Sequence, residues 1–212
     1  MKTRIVFLIF HLLFITFLFS QNKSEKNLIE KFLQELKQQK VDTICTFEDY
    51  SVGSVEIFNS NEESKYCDFE FENIPTYILW KKKGKTYLTK KDKCFEYSIA
   101  EISAEKIWRK YFENIMRIKV EQVKKFQFVE MVNGKKNSLT TMVDHSHHQN
   151  FKFIINNKII EKKFDDFDLQ KNENNTYNLN FKHNSKLKSK ELTDEIFNTI
   201  EINKCLLSKK RK

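Results

Sequence analysis

Apolar residues recur along this chain with two periods, near 3.6 and 2, and the switches between them mark out helices and strands. Leu28, Ile29, Phe32, Leu33 and Leu36 fall on one face of a helix that Ser24 can cap and that ends near Gln39 and Lys40. Strand-like segments follow at Thr43–Phe47 and Val52–Phe58, and Phe69 and Phe71 alternate with Glu70 and Glu72. After Pro75, Thr76–Trp80 runs through a turn at Gly84 into Thr86–Thr89, a hairpin that Phe95–Ile99 extends. Ser103 is placed to cap the longest helix, about 103–126. There Ile107, Trp108, Tyr111, Phe112, Ile115, Met116 and Val123 step by three and four.

Beyond Lys125 the period returns to two. Phe126 and Phe128 alternate with Gln127 and Val129, Asn133-Gly134 supplies a hairpin turn, and Leu139, Thr141 and Val143 form the return strand. Phe151, Phe153 and Ile155 make a further strand that turns at Asn156-Asn157 into Lys158–Phe164. Tyr177, Leu179 and Phe181 alternate as a last strand, Thr193–Asn203 is a short helix with Ile196, Phe197 and Ile200 inward, and Ser208–Lys212 is a basic tail. The order helix, strands, helix, strands, helix, with hairpins dominating, predicts an α+β fold. A mostly antiparallel sheet packs on one long amphipathic helix, with shorter helices near both ends.

The first twenty residues follow a different pattern. Lys2 and Arg4 precede an apolar run from Ile5 to Phe19, and small Ser20 leads into polar Gln21–Lys26. That is the order of a secretory signal peptide cleaved after Ser20. The run would span roughly 22 Å as a helix against the ~30 Å of a bilayer core. Leu18 leaves the cleavage pattern half met, so an N-terminal membrane anchor is the alternative. Residues 21–212 are expected to form a single α+β domain, with two strand-rich halves joined by the 103–126 helix as the alternative subdivision. The expected location is secreted or periplasmic.

That address changes how charge and cysteine are read. Net charge is +9, or +7 without Lys2 and Arg4, and only four of the 38 basic residues are Arg. Specific nucleic-acid readout favours the Arg fork, so no nucleic-acid partner is expected. Abundant Lys, Asn, Ile and Phe with three Gly and one Pro is the skew of AT-rich coding. An envelope or membrane-surface partner suits the basic charge better. In an oxidising compartment the four cysteines default to disulfides. Cys67 with Cys94 is the favoured pair, because both open strand-like segments beside one hairpin; Cys45 with Cys205 follows by elimination.

Candidate chemistry is sparse. Asp144-His145-Ser146-His147-His148 is the densest ligand cluster. On an extended strand His145 and His147 share a face about 7 Å apart, within reach of a common metal, with His183 as a third ligand. Asp165-Asp166-Phe167-Asp168 lacks the Gly and the twelfth-position Glu of a calcium loop. No nucleophile-elbow, β-lactamase-type or phosphate-loop motif occurs, and no cofactor is expected. The resulting expectation is a non-catalytic binding or interaction module, with Trp108, Tyr111 and Phe112 as the candidate binding face. The alternatives are a hydrophobic-ligand carrier, or a metal-binding protein or enzyme built on the histidines.

Overall fold

The computed structural model describes residues 24–53, 74–92, 95–173 and 175–211. The chain divides into two units, Met1–Lys40 and Val41–Lys212. In the first, α1 (Ser24–Gln38) ends where Lys40 adopts a left-handed φ of 60° and its N–H reaches Lys37 O at 2.9 Å.

In the second unit, β1 (Thr43–Val52) is the centre of an antiparallel sheet of eight strands. On one side of it lie β2 (Thr76–Lys82) and β3 (Lys85–Lys91). β3 then pairs with both β4 (Phe95–Tyr97) and β5 (Ala100–Ile102). On the other side lie β8 (Ser146–Ile155) and β9 (Lys158–Asp165). Two helices of 16 residues each, α2 (Glu105–Val120) and α5 (Lys188–Asn203), pack against each other and share one core with the sheet. The α+β class and the antiparallel sheet are as expected. The single long helix is not: α2 stops at Val120, and an equal helix follows near the C-terminus.

Alternation explains which residues fill that layer. Cys45, Phe47, Leu79, Leu88, Phe151 and Phe153 point from one sheet face into a core with Trp108, Tyr111, Leu192 and Ile196. Phe153 stacks on Tyr111 with ring centroids 4.0 Å apart and meets Trp108 edge-on at 5.8 Å. The Trp108 indole N–H donates to Thr86 Oγ1 at 2.9 Å, which satisfies its polar atom inside the core. The opposite face carries a second buried set, Ile44, Ile78, Trp80 and Ile154.

Glu121 joins the two long helices. It lies just past α2, and its carboxylate accepts the N–H groups of Lys188 and Ser189 at 3.0 and 2.9 Å, capping the first turn of α5. Desolvation works to raise the Glu121 pKa, but those N–H groups, the Ser189 hydroxyl and Arg117 outweigh it, so the carboxyl titrates below its ordinary range.

Several local expectations are corrected. Ser103 does not cap α2; the cap position is Ala104, and the Ser103 hydroxyl bonds Glu105 instead, at 2.9 Å. The alternation at Tyr177–Phe181 yields only the two-residue β11 (Thr176–Tyr177), paired with β10 (Asn172–Glu173), and then the short helix α4 (Phe181–Asn184). Within the basic tail, β12 (Lys209–Arg211) pairs with β4. Residues 1–20, the Phe69–Phe71 strand, Cys67 and Cys94 lie outside the described residues.

Candidate functional site

Helix α2 has two apolar faces. Ile107, Trp108, Tyr111 and Ile118 face the core, Trp108 with 2% of its surface accessible. Phe112, Met116 and Val120, stepping by four, form a second line on the solvent side, where Met116 is 73% and Val120 72% exposed. Of the three aromatic binding candidates, Trp108 and Tyr111 are therefore core residues and Phe112 alone reaches the surface. The space between helix and sheet is filled by fully buried Trp108, Tyr111, Phe151 and Phe153.

The three histidines expected to share a metal have separate surroundings. β8 begins at Ser146, so His145 lies before the strand and its ring packs on Gly53, where an added Cβ would fall 1.7 Å from His145 Nδ1. Gly53 also holds a φ of +74°, so this turn needs glycine both for its backbone and for the approach of the ring. His147 is on the strand. Its Nε2 lies 2.5 Å from Asp49 Oδ1 and its Nδ1 3.1 Å from Ser51 Oγ. His183 is on α4, its Nε2 3.1 Å from Gln122 O. Among the described residues no three His, Cys, Asp or Glu side chains converge as a metal site.

Sequence reading missed Asp49 and Ser51. Serine, histidine and carboxylate in line are the parts of a proton relay, but here the ring nitrogens are used in reverse, with the carboxylate on Nε2 and the serine on Nδ1. Register accounts for the contact. Ser51 and His147 are directly opposed on β1 and β8, which by itself brings their side chains together, and Asp49 is two residues back on the same face. We read the trio as a cross-strand tie. Asp166, on α3 (Asp166–Leu169), is near it: burial pushes its carboxyl pKa up, while His147 and Lys190 pull it down. His148 points to the other face, stacked on Tyr50 at 5.3 Å.

Cys45 and Cys205 are both free thiols in the structure. Cys45 is within the core between Leu79 and Phe153, and burial pushes its thiol pKa far above the ordinary range, which makes it a poor nucleophile. Cys205 is exposed on a single 3₁₀ turn, Lys204–Leu206.

The hairpin predicted at Asn133-Gly134 is the most exposed element. β6 (Gln127–Val132) and β7 (Lys135–Thr140) form a two-stranded sheet of their own. Asn133 and Gly134 both have positive φ, 52° and 74°, as a type I′ turn requires. Every residue from Val129 to Thr140 is exposed, including Val129, Val132 and Leu139, with Met131 at 58%.

The root of this arm is held by buried polar groups. Asp168 Oδ1 accepts the Phe126 N–H and Oδ2 the Lys125 ammonium, each at 2.9 Å. Asn184 accepts the Lys124 N–H at 3.0 Å and donates to the carbonyls of Lys124 and Asp168 at 2.8 and 2.9 Å. Asn178 donates to the carbonyls of Asp168 and Gln170 at 2.9 and 3.0 Å. Asn178 and Asn184 are fully buried, and Phe126 stacks on Phe167 at 4.8 Å. The three-aspartate segment thus has a structural task, with Asp165 capping α3 through the Phe167 N–H.

An open cleft of about 570 Å³ runs along edge strand β9. Its lining sets Lys125, Lys162 and Lys163 against Glu121, Glu161 and Asp165. Lys162 caps the end of α2 by donating to the carbonyls of Lys119 and Glu121, and burial lowers its pKa. No family model, curated protein or solved structure matches this chain.

Proposed function

We propose that this chain is a secreted or periplasmic, non-catalytic binding protein that engages its partner through the β6–β7 arm. One observation carries the reading: a ribbon exposed from Val129 to Thr140 is rooted in a buried, hydrogen-bonded network. An isolated two-stranded hairpin is marginal in water, and exposed apolar residues grouped on one element mark interaction surfaces. A fixed base with an apolar, accessible arm is the arrangement of a docking element.

The other readings have less to draw on. A carrier for a hydrophobic ligand needs an enclosed apolar volume, and the layer between α2 and the sheet is packed with aromatic rings. A metal enzyme needs converging ligands, and His145, His147 and His183 are bound up in separate contacts.

Photo-crosslinking in the producing cells tests the reading. A photoreactive residue at Met131 or Leu139 is expected to capture a neighbour, protein or lipid, whereas the same residue at Glu191, exposed on α5, is not. Equal capture at all three positions, or capture at none, would overturn it.

A further inference from the structure

The chemistry of the arm also indicates what it docks on. From Met131 to Val143 the only charged residues are Lys135 and Lys136, beside the turn. Each stands opposite an apolar residue in the ribbon register: Lys135 faces Val132 and Lys136 faces Met131. A lysine so placed can lay its aliphatic stem along its neighbour and extend its ammonium outward.

The two faces of the ribbon tell more. Alternation puts Phe128, Val132 and Leu139 on one face and Val129 and Met131 on the other. A protein groove covers one face of a ribbon, and strand addition uses one edge. A tip with an apolar residue beside a lysine on each face, and no acid beyond Glu130, is suited to immersion in an interface that surrounds it. We infer that the tip of the β6–β7 arm docks on an anionic lipid surface, with Met131 and Val132 at the headgroup–acyl boundary and Lys135 and Lys136 on lipid phosphates.

The depth is bounded. The outer edges of a two-stranded ribbon carry unpaired backbone groups, which cannot enter hydrocarbon without a partner. Insertion therefore stops within the ~5–10 Å of the interfacial layer, where water and headgroups satisfy them. The net charge of +7 that remains without Lys2 and Arg4 adds attraction toward the same surface.

This inference rests on the arm being the docking element, so its test must separate the two ideas. Purified full-length chain is sedimented with phosphatidylcholine vesicles, with and without phosphatidylglycerol, at low and high salt. The expected result is partitioning at least tenfold higher on the anionic vesicles, weakened by salt. Lys135→Gln with Lys136→Gln is expected to lower it about 30-fold, from roughly fivefold per lysine. Met131→Asp with Val132→Asp is expected to lower it at least tenfold while the melting temperature stays at the wild-type value, since both residues are exposed. Equal partitioning on both vesicle types, or variants that bind like wild type, would overturn the inference. If vesicles fail but crosslinking at Met131 captures a protein, the lipid assignment falls and the docking arm stands. If both fail, both fall.

Discussion

The inner face of α2 and the β6–β7 arm are built from similar residues and meet opposite fates. Trp108 and Tyr111 follow a helical period and are buried; Val129, Met131 and Leu139 follow a strand period and are exposed. What separates them is whether a complementary surface exists within the chain. The α2 face meets Phe153 on β8 and Leu192 and Ile196 on α5, all of which belong to the same core. The arm forms its own two-stranded sheet, and its anchoring bonds are concentrated at its root. Periodicity predicts that an element forms. It does not predict that the element is covered.

The sharpest way to break that contrast is to substitute one residue on each side of it. Trp108→Ala removes a fully packed indole and strands the Thr86 hydroxyl, and is expected to cost about 3–5 kcal/mol by urea unfolding. Met131→Asp in the arm is expected to stay within about 0.5 kcal/mol of wild type in the same measurement. Comparable losses at the two positions would mean the arm is part of the core.

The root comes next. Asp168→Ala leaves the buried Phe126 N–H and the Lys125 ammonium without their acceptor, and a loss of about 2–3 kcal/mol is expected. Hydrogen exchange should quicken at Lys124–Gln127 ahead of β1. If exchange quickens uniformly, the root is not a separate fixture.

Glu121→Gln gives a smaller effect with a pH signature. The native carboxyl pKa is depressed, so its contribution is full above the unfolded carboxylate range and is lost as pH falls through the folded value. The variant should be about 1 kcal/mol less stable at neutral pH, and the two stability curves should converge in acid. A constant gap across that range would show that packing, and not the charged cap, is what is lost. The smallest effect is expected on the outer line of α2: Met116→Ser should change stability by less than about 0.5 kcal/mol.

How much of this was legible in the chain depended on range. Asn133-Gly134 marks its hairpin because a type I′ turn needs two positive φ values, a local demand that two residues state openly. Trp108 and Tyr111 were recognisable as an apolar face, and Phe112 was grouped with them although it lies at the edge of that face and is about half exposed. Tyr177–Phe181 was read as a strand because Tyr177, Leu179 and Phe181 alternate; in the structure Asn178 turns inward to serve the root of the arm, and Phe181 opens the one-turn α4. The Asp49–His147–Ser51 tie and the Glu121 cap on α5 join residues 96 to 98 and 67 to 68 positions apart, and no local pattern announces them. His145 and His147 looked like a shared face only on the assumption that the strand began before Ser146.

Hydrogen–deuterium exchange across the full chain, with and without anionic vesicles, tests the docking arm most directly. Free in solution, the amides of residues 127–140 are expected to exchange much faster than those of β1 and β8. On the vesicles, slowing should be confined to that segment while the sheet stays unchanged. An arm already as protected as β1 in free solution, or slowing that falls on the β9 cleft and leaves residues 127–140 untouched, would contradict the account.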